Sequence, residues 1–161
     1  MDLILWRHAE AEPGGPETPD LSRSLTAKGH KQAWKMAEWL DVRLPSSCRI
    51  LVSPAMRTVQ TADALGRKLR IEPDLGPDTT VEKILKAVNW PHGRDPVLLV
   101  GHQPVLGQLA ATLIGGTRQN WSIRKANIWW ITQRDRQEDE QEIDLSHCSL
   151  RVVMTPELLR K

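Results

Sequence analysis

Short apolar runs alternate with amphipathic helical stretches from the N-terminus to about residue 116. The runs LILW (residues 3–6), ILV (residues 50–52) and VLLV (residues 97–100) each end in polar residues. Apolar runs this short fit strands that are covered on both faces, as in a parallel sheet. Because a helical pattern follows each run, the chain is predicted to be an α/β fold with helices on both faces of a parallel sheet.

The helical stretches have clear start signals and apolar faces. Thr26 is suited to cap the first helix. Pro54 and Pro104 suit the first position of two later helices, and the glycines at 115–116 suit the end of the last one. The expected buried faces are Ala33, Ala37, Leu40 and Leu44 in the first helix, Ala55, Val59, Ala62 and Leu69 in the second, and Val81, Ile84, Leu85 and Val88 in the third.

The C-terminal part of the chain has a different pattern. KANIWWITQ and IDLSHCSLRVVM both have the composition of strands, and the acidic run RDRQEDEQE separates them. We interpret the acidic run as a solvated loop and the two strands as a hairpin at the edge of the sheet. Since neither a repeat nor a linker is visible, residues 1–161 are expected to form one domain.

Composition excludes several classes of partner and location. The chain has 161 residues and a formal net charge of +2, without the Lys/Arg block that nucleic-acid binding needs. Cys48 and Cys148 lie far apart in sequence, which favours reduced thiols in the cytoplasm over a disulfide framework. The longest apolar runs are too short for a signal peptide or a membrane span. We therefore expect a soluble cytoplasmic protein that binds neither nucleic acid nor membrane.

Conspicuous polar side chains follow three of the predicted strands, in WRHAE, VSPAMR and VGHQP. The crevice beyond the carboxyl ends of parallel strands is the usual ligand site of such sheets, and helix N-termini there favour anions. Arg7 and Arg57 offer forked donors for an oxyanion. His8 and His102 add imidazoles that donate to oxygen or attack an electrophile at neutral pH. The sequence therefore predicts an anion-binding site with a nucleophile.

Each of these residues also has a simpler explanation. A single arginine in the first turn of a helix is commonly a surface charge, and a single histidine after a strand is commonly a capping or core residue. The convergence of four such residues at strand ends favours a functional site. Glu10 either orients this site or is a surface carboxylate. The remaining histidines, His30, His92 and His147, show no metal-ligand spacing, so we expect no metal site.

The three motifs resemble a known family. WRHAE resembles the Arg-His-Gly signature of the histidine phosphatase superfamily (phosphoglycerate-mutase-like), while SPAMRTVQTA and GHQPVL resemble its second-arginine and second-histidine motifs. SRSLTAKGHKQA, the short chain and the TPELL ending resemble the small bacterial SixA-like branch of phosphohistidine phosphatases. The resemblance implies a three-layer α/β/α sandwich without metal or organic cofactor. It also implies that His8 is the nucleophile and that Arg7, Arg57 and His102 hold the phosphoryl oxygens.

The chain departs from the family pattern at three points. Ala9 stands where the signature most often has glycine. Arg23, which the resemblance would place near the substrate, precedes Ser24 where branch members usually have proline. The general acid of mutase-like members has no clear motif match. Asp74, Asp78 and Glu82 are the candidates for it.

The expected function follows from the leaving group. An alkyl phosphoester expels an alkoxide, which calls for a positioned acid. Phosphohistidine expels an imidazole, whose ordinary pKa is about 6.5 and which needs less help. A chain with a nucleophile, an oxyanion grip and no evident acid therefore favours a protein phosphohistidine substrate. The alternatives are a broad phosphomonoesterase of small esters and a binding module for phosphorylated ligands without catalysis.

Overall fold

The computed structural model describes residues 1–133 and 148–159, and these form a six-stranded sheet between two layers of helices. The strands are β1 (Asp2–Arg7), β2 (Arg49–Val52), β3 (Arg70–Ile71), β4 (Val97–Gly101), β5 (Ile128–Gln133) and β6 (Cys148–Met154). The helices are α1 (Ala27–Asp41), α2 (Met56–Asp63), α3 (Val81–Ala87) and α4 (Val105–Gly115).

The sheet has the strand order β3-β2-β4-β1-β5-β6. Parallel pairs join β3 to β2, β2 to β4 and β4 to β1, whereas antiparallel pairs join β1 to β5 and β5 to β6. The predicted mainly parallel sheet and its antiparallel C-terminal edge pair are confirmed. The acidic run 134–142 and His147 lie outside the described residues.

The core lies on both faces of the sheet because successive side chains of a strand point to opposite faces. Ile4 and Trp6 of β1 pack with α1 and α2, and Leu3 and Leu5 pack with α3 and α4. The central strand β4 is buried along its whole length. This arrangement confirms the three-layer α/β/α sandwich. None of the helices within residues 1–133 and 148–159 is long and apolar enough to cross a lipid bilayer.

The predicted helix starts are close to the observed ones. Thr26 caps α1 by accepting a hydrogen bond from the Gly29 N–H at 2.9 Å. Pro104 precedes the first residue of α4 by one position, and Pro54 precedes that of α2 by two. The predicted apolar face of α2 was wrong at its end, because the helix stops at Asp63. Gly66 takes a φ of +65° there and turns the chain, so Leu69 packs against the core from a loop.

The edge strand β3 was not predicted. It has only two residues, and both are exposed. A strand this short is marked neither by an alternating pattern nor by an apolar run. It is defined only by its hydrogen bonds to β2, which join residues far apart in sequence.

Candidate active site

The four residues at the predicted strand ends lie at one edge of the sheet. Because β4 lies between β1 and β2, the carboxyl ends of these three parallel strands meet there. Arg7 ends β1 and His8 follows it, while His102 follows β4. The ring centroids of His8 and His102 are 5.5 Å apart. Arg57 lies in the first turn of α2, near enough for its charge to lower the pKa of both imidazoles.

The hydrogen bonds around His8 define which of its nitrogens is free. The His8 side chain is 6% exposed, and its Nδ1 lies 2.7 Å from the carbonyl oxygen of Ala9. A carbonyl oxygen only accepts, so Nδ1 carries the proton and a neutral ring presents the lone pair of Nε2. The backbone N–H of His8 donates to the Gly101 carbonyl at 3.1 Å, which ties the residue to β4. The ring is thus held with Nε2 unprotonated.

Burial and nearby cations keep His8 neutral. Burial is the largest cause that lowers its pKa from 6.5 to about 4, and the charges of Arg57, Arg7 and Arg23 act in the same direction. The hydrogen bond to Ala9 opposes this shift only in part. At neutral pH the imidazole is therefore a free base, the form in which it attacks an electrophile.

Thr61 positions the loop that carries His8, and sequence reasoning missed it. Its hydroxyl accepts from the Ala9 N–H at 3.0 Å and donates to the Arg57 carbonyl at 2.7 Å. It thereby links the loop after β1 to α2. The available signal was a polar residue four positions after Arg57 on the buried side of an amphipathic helix.

The two arginines present buried donors to this pocket. Arg7 donates through Nη1 to the Ile123 carbonyl at 2.9 Å, and Arg57 is only 4% exposed. The Nε atoms of both arginines are buried and find no hydrogen-bond partner in the part of the chain that the structure describes, and the same holds for Nδ1 of His102. A tetrahedral oxyanion is a ligand that would satisfy the two charged arginine donors, and it would also accept from Nδ1 of His102 when that nitrogen carries the proton.

His102 is a neutral imidazole held by a serine. Burial is the largest cause that lowers its pKa from 6.5 to about 3, and Arg57 and His8 contribute further. Its Nε2 lies 2.8 Å from the hydroxyl oxygen of Ser53, the residue that follows β2. Sequence reasoning did not single out Ser53.

Asp20 joins Arg57 to Arg23 at the rim of the pocket. Arg57 donates to the backbone carbonyl of Asp20 at 2.8 Å and to its Oδ2 at 3.1 Å, and Arg23 donates to Oδ1 at 3.1 Å. Burial raises the pKa of the Asp20 carboxyl, but the hydrogen bonds and charges of the two arginines outweigh it and hold that pKa below its ordinary value. The structure thus places Arg23 beside Arg57. No feature of the sequence indicated that Asp20 would contact both arginines.

The three candidates for a general acid lie in different surroundings. Glu82 forms an ion pair with Arg118. Asp74 is exposed, and its carbonyl accepts from the Thr79 hydroxyl. Asp78 lines a groove of about 640 Å³ that Asp20 and Pro54 also line. Of the three, Asp78 is the one that shares a groove with Asp20, which is hydrogen-bonded to Arg57.

Two other features are distinct from this pocket. Glu10 accepts a hydrogen bond from the Thr26 hydroxyl at 2.7 Å, so its carboxylate supports the start of α1. A second groove, of about 680 Å³, lies at the edge formed by β2 and β3 beside Arg49 and Arg70. It contains none of the predicted site residues.

Comparison with known proteins identifies the family. The sequence model of the histidine phosphatase superfamily (branch 1) matches residues 3–80. The Phosphohistidine phosphatase SixA homolog of Haemophilus influenzae is 30% identical over 131 residues, which cover 71% of this chain and 78% of that protein. The chain belongs to the histidine phosphatase superfamily. Its matched region contains His8 and Arg57 of the pocket.

Further relatives assign this histidine phosphatase to the SixA-like branch. Phosphohistidine phosphatase SixA of Escherichia coli is 31% identical over 125 residues, which cover 72% of this chain and 76% of that protein. A solved structure of the protein histidine phosphatase SixA complexed with tungstate has a TM-score of 0.77, with 24% sequence identity over 97% of both chains. The family and the SixA-like branch predicted from the motifs are confirmed, as is a phosphatase of the histidine type.

Proposed function

We propose that this histidine phosphatase transfers a phosphoryl group from its substrate to Nε2 of His8 and then hydrolyses the phosphohistidine so formed. In the first step the Nε2–P bond forms and the bond from phosphorus to the leaving group breaks. In the second step water attacks phosphorus, and inorganic phosphate leaves as the Nε2–P bond breaks. Splitting the reaction in this way replaces one hard step by two easier ones. The observation that carries the proposal is the Nδ1 contact with Ala9, which leaves Nε2 as the free nitrogen.

Arg7, Arg57 and His102 are proposed to bind the phosphoryl oxygens. Phosphoryl transfer needs in-line positioning and stabilisation of the negative charge on three equatorial oxygens. The buried donors of these three side chains suit that task because they are otherwise unpaired among the described residues. The His102 ring lies 5.5 Å from that of His8, and both arginines are near enough to lower the pKa of His8. Arg23, held by Asp20 at the rim, is proposed to contact the substrate where it enters.

The proposed substrate is phosphohistidine on a protein. Support comes from the names of the relatives, which are phosphohistidine phosphatases, and from the chemistry of the leaving group. Transfer from a substrate histidine exchanges one P–N bond for another, and the departing imidazole needs little help from an acid. An alkyl ester would instead require a positioned acid, and the candidate for it is Asp78 in the groove that Asp20 also lines.

The test is capture of the covalent intermediate. Wild-type protein mixed with a labelled phosphohistidine protein and quenched in base should carry label that acid removes, because phosphohistidine is stable in base and labile in acid. His8→Ala should carry no label and should not turn over an activated aryl phosphate. The exposed residue His30 supplies the matched control, His30→Ala, which should retain both. Full activity in His8→Ala would refute the assignment, and binding without label or turnover in wild type would indicate a binding module.

A small phosphoester is the second candidate substrate, and the place of Asp78 favours it. If Asp78 protonates an alkoxide, Asp78→Asn should reduce turnover of alkyl phosphates and leave turnover of phosphohistidine protein unchanged. Comparison of kcat/KM on both substrate classes, in wild type and variant, decides between them. Faster turnover of alkyl esters that depends on Asp78 would overturn the preference for phosphohistidine.

A further inference from the structure

Ser53 lies between β2 and His102 and is fully buried. Its side chain is 0% exposed, and its backbone N–H donates to the Val100 carbonyl at 3.1 Å, which fixes the residue at the sheet edge. The hydroxyl oxygen accepts from the Ala55 N–H at 3.2 Å. Its other contact is Nε2 of His102 at 2.8 Å. The hydroxyl therefore joins the start of α2 to the second histidine.

The direction of the bond between Ser53 and His102 follows from counting protons. A serine hydroxyl has one proton to donate and two lone pairs. If Ser53 donates to Nε2, the hydroxyl is fully used, because one lone pair serves the Ala55 N–H and the proton has an acceptor. Only the Nδ1–H of His102 is then unpaired among the described residues. If Nε2 were the donor, both the Ser53 proton and the Nδ1 lone pair would be buried without a partner among the described residues, at a greater cost in free energy.

The location of the proton on His102 decides what the ring offers the pocket. A neutral imidazole carries one proton, so a ring that accepts at Nε2 carries it on Nδ1. This Nδ1 is the buried atom that has no partner within the described residues. With the proton on Nδ1 the ring donates to a phosphoryl oxygen, whereas the other tautomer would direct a lone pair at a negative oxygen.

We propose that Ser53 is a positioning residue that fixes His102 in the Nδ1-protonated tautomer. A neutral histidine then serves as an oxyanion donor without having to gain a proton from solvent. The inference rests on the proposed function in one respect, that the pocket binds phosphoryl oxygens. It does not depend on His8 becoming phosphorylated.

Substitution of Ser53 should weaken the oxyanion grip. In Ser53→Ala the Nε2 atom loses its donor, so both tautomers and other ring orientations become available. We expect kcat on an activated aryl phosphate to fall about 10- to 100-fold, by analogy with the range found when the outer-shell partner of a metal-binding histidine is removed. KM should change less, and tungstate should bind more weakly. Ser53→Thr keeps the hydroxyl and should recover most of both losses.

Thr58 provides a matched control in the same turn. It is also fully buried, and its hydroxyl oxygen lies 2.9 Å from the Ser53 carbonyl and 2.6 Å from the Ala55 carbonyl. Thr58→Val removes a buried hydroxyl from the turn without touching His102. It should lower Tm while leaving tungstate affinity and the tautomer of His102 unchanged.

The decisive measurement is the ¹⁵N NMR spectrum of the His102 ring in the free protein, assigned with His102→Gln. Wild type, Ser53→Thr and Thr58→Val should show a protonated Nδ1 and an unprotonated Nε2, and Ser53→Ala should show a mixture. A proton on Nε2 in wild type would overturn the proposal, as would a folded Ser53→Ala with unchanged tautomer and tungstate affinity. If Ser53→Ala does not fold, the wild-type spectrum decides alone. Failure to label His8 would refute the proposed function while leaving this spectrum unaffected.

Discussion

At the scale of single residues, the pocket depends on how each donor is held. Both terminal nitrogens of Arg57 bind Asp20, and this leaves Nε directed elsewhere as a buried donor. A guanidinium fixed at one end by a carboxylate can hold its other edge in a defined orientation. A lysine at this position would keep the charge but would lose the planar fork.

The first prediction concerns Arg57→Lys. We expect kcat/KM on an aryl phosphate to fall. The corresponding loss of transition-state stabilisation should be roughly 2–4 kcal/mol, the scale of one lost oxyanion donor. Tungstate affinity should fall with it. Arg43→Lys is the control, because Arg43 is exposed and stacks on Trp39. Unchanged tungstate affinity in Arg57→Lys would mean that this arginine does not bind the oxyanion.

The second prediction concerns the charge of Asp20. Asp20→Asn keeps the backbone contact to Arg57 but removes a negative charge beside the pocket. Because the carboxylate is exposed, its ion pairs contribute little, and the lost repulsion of the anion should dominate. Tungstate should therefore bind about two- to fivefold more tightly, the effect of a few tenths to about 1 kcal/mol. Weaker binding would show that orientation of Arg57 by the carboxylate matters more than its charge.

At the scale of elements, the start of α1 is packed directly against the loop after β1. A Cβ atom at Gly29 would lie 2.0 Å from the carbonyl oxygen of Glu10. The same carbonyl accepts from the Thr26 N–H at 3.0 Å. The helix can approach the loop that carries His8 this closely only because residue 29 has no side chain.

The third prediction follows from that contact. Gly29→Ala should destabilise the fold by about 1–3 kcal/mol, as overpacking against fixed neighbours does. The shifted loop should also lower activity by moving His8. Gly15→Ala is the control, since a Cβ there meets no atom within 4 Å. Thermal unfolding of both variants checks this, and equal Tm values would show that the loop after β1 moves at little cost.

Local patterns predicted the elements, but not the contacts between distant segments. The strands and most helix starts depend on apolar runs and on residues such as Thr26 and Pro104, which act within a few positions. In contrast, the contact between Asp20 and Arg57 joins loop and helix across 37 positions. Ser53 was missed for the same reason, because its partner His102 follows a different strand. Such pairs become visible only when the strand order is known.

At the scale of the whole molecule, the two neutral histidines make stability depend on pH. The pKa of His8 is lowered from 6.5 to about 4 and that of His102 to about 3. Between these values and 6.5, the unfolded chain binds protons that the folded protein does not. Stability therefore falls as the pH drops through this window.

The fourth prediction is the size and origin of that dependence. Between pH 6.5 and 5, where most carboxylates are still ionised, each histidine should contribute a slope that approaches about 1.4 kcal/mol per pH unit. Urea unfolding at several pH values measures it. His102→Gln should remove the contribution of one histidine to this slope. The control is His30→Ala at an exposed position, which should leave the contribution of His8 and His102 unchanged. A free energy of unfolding that is constant over this range would contradict the burial of both rings.

The unpaired buried donors of Arg7, Arg57 and His102 also affect which substitutions are favoured when variants are selected for thermal stability. A buried polar group without a partner costs about 1–3 kcal/mol, and an apolar side chain of similar shape avoids that cost. Apolar substitutions at these positions remove that cost, and they raise heat resistance where it exceeds the loss of the bonds to Ile123, Asp20 and Ser53. A library screened for survival at high temperature alone should accumulate apolar residues at these positions and yield robust proteins that no longer turn over phosphate. The proposed oxyanion roles of Arg7, Arg57 and His102 predict that thermostable variants that remain active keep these three residues.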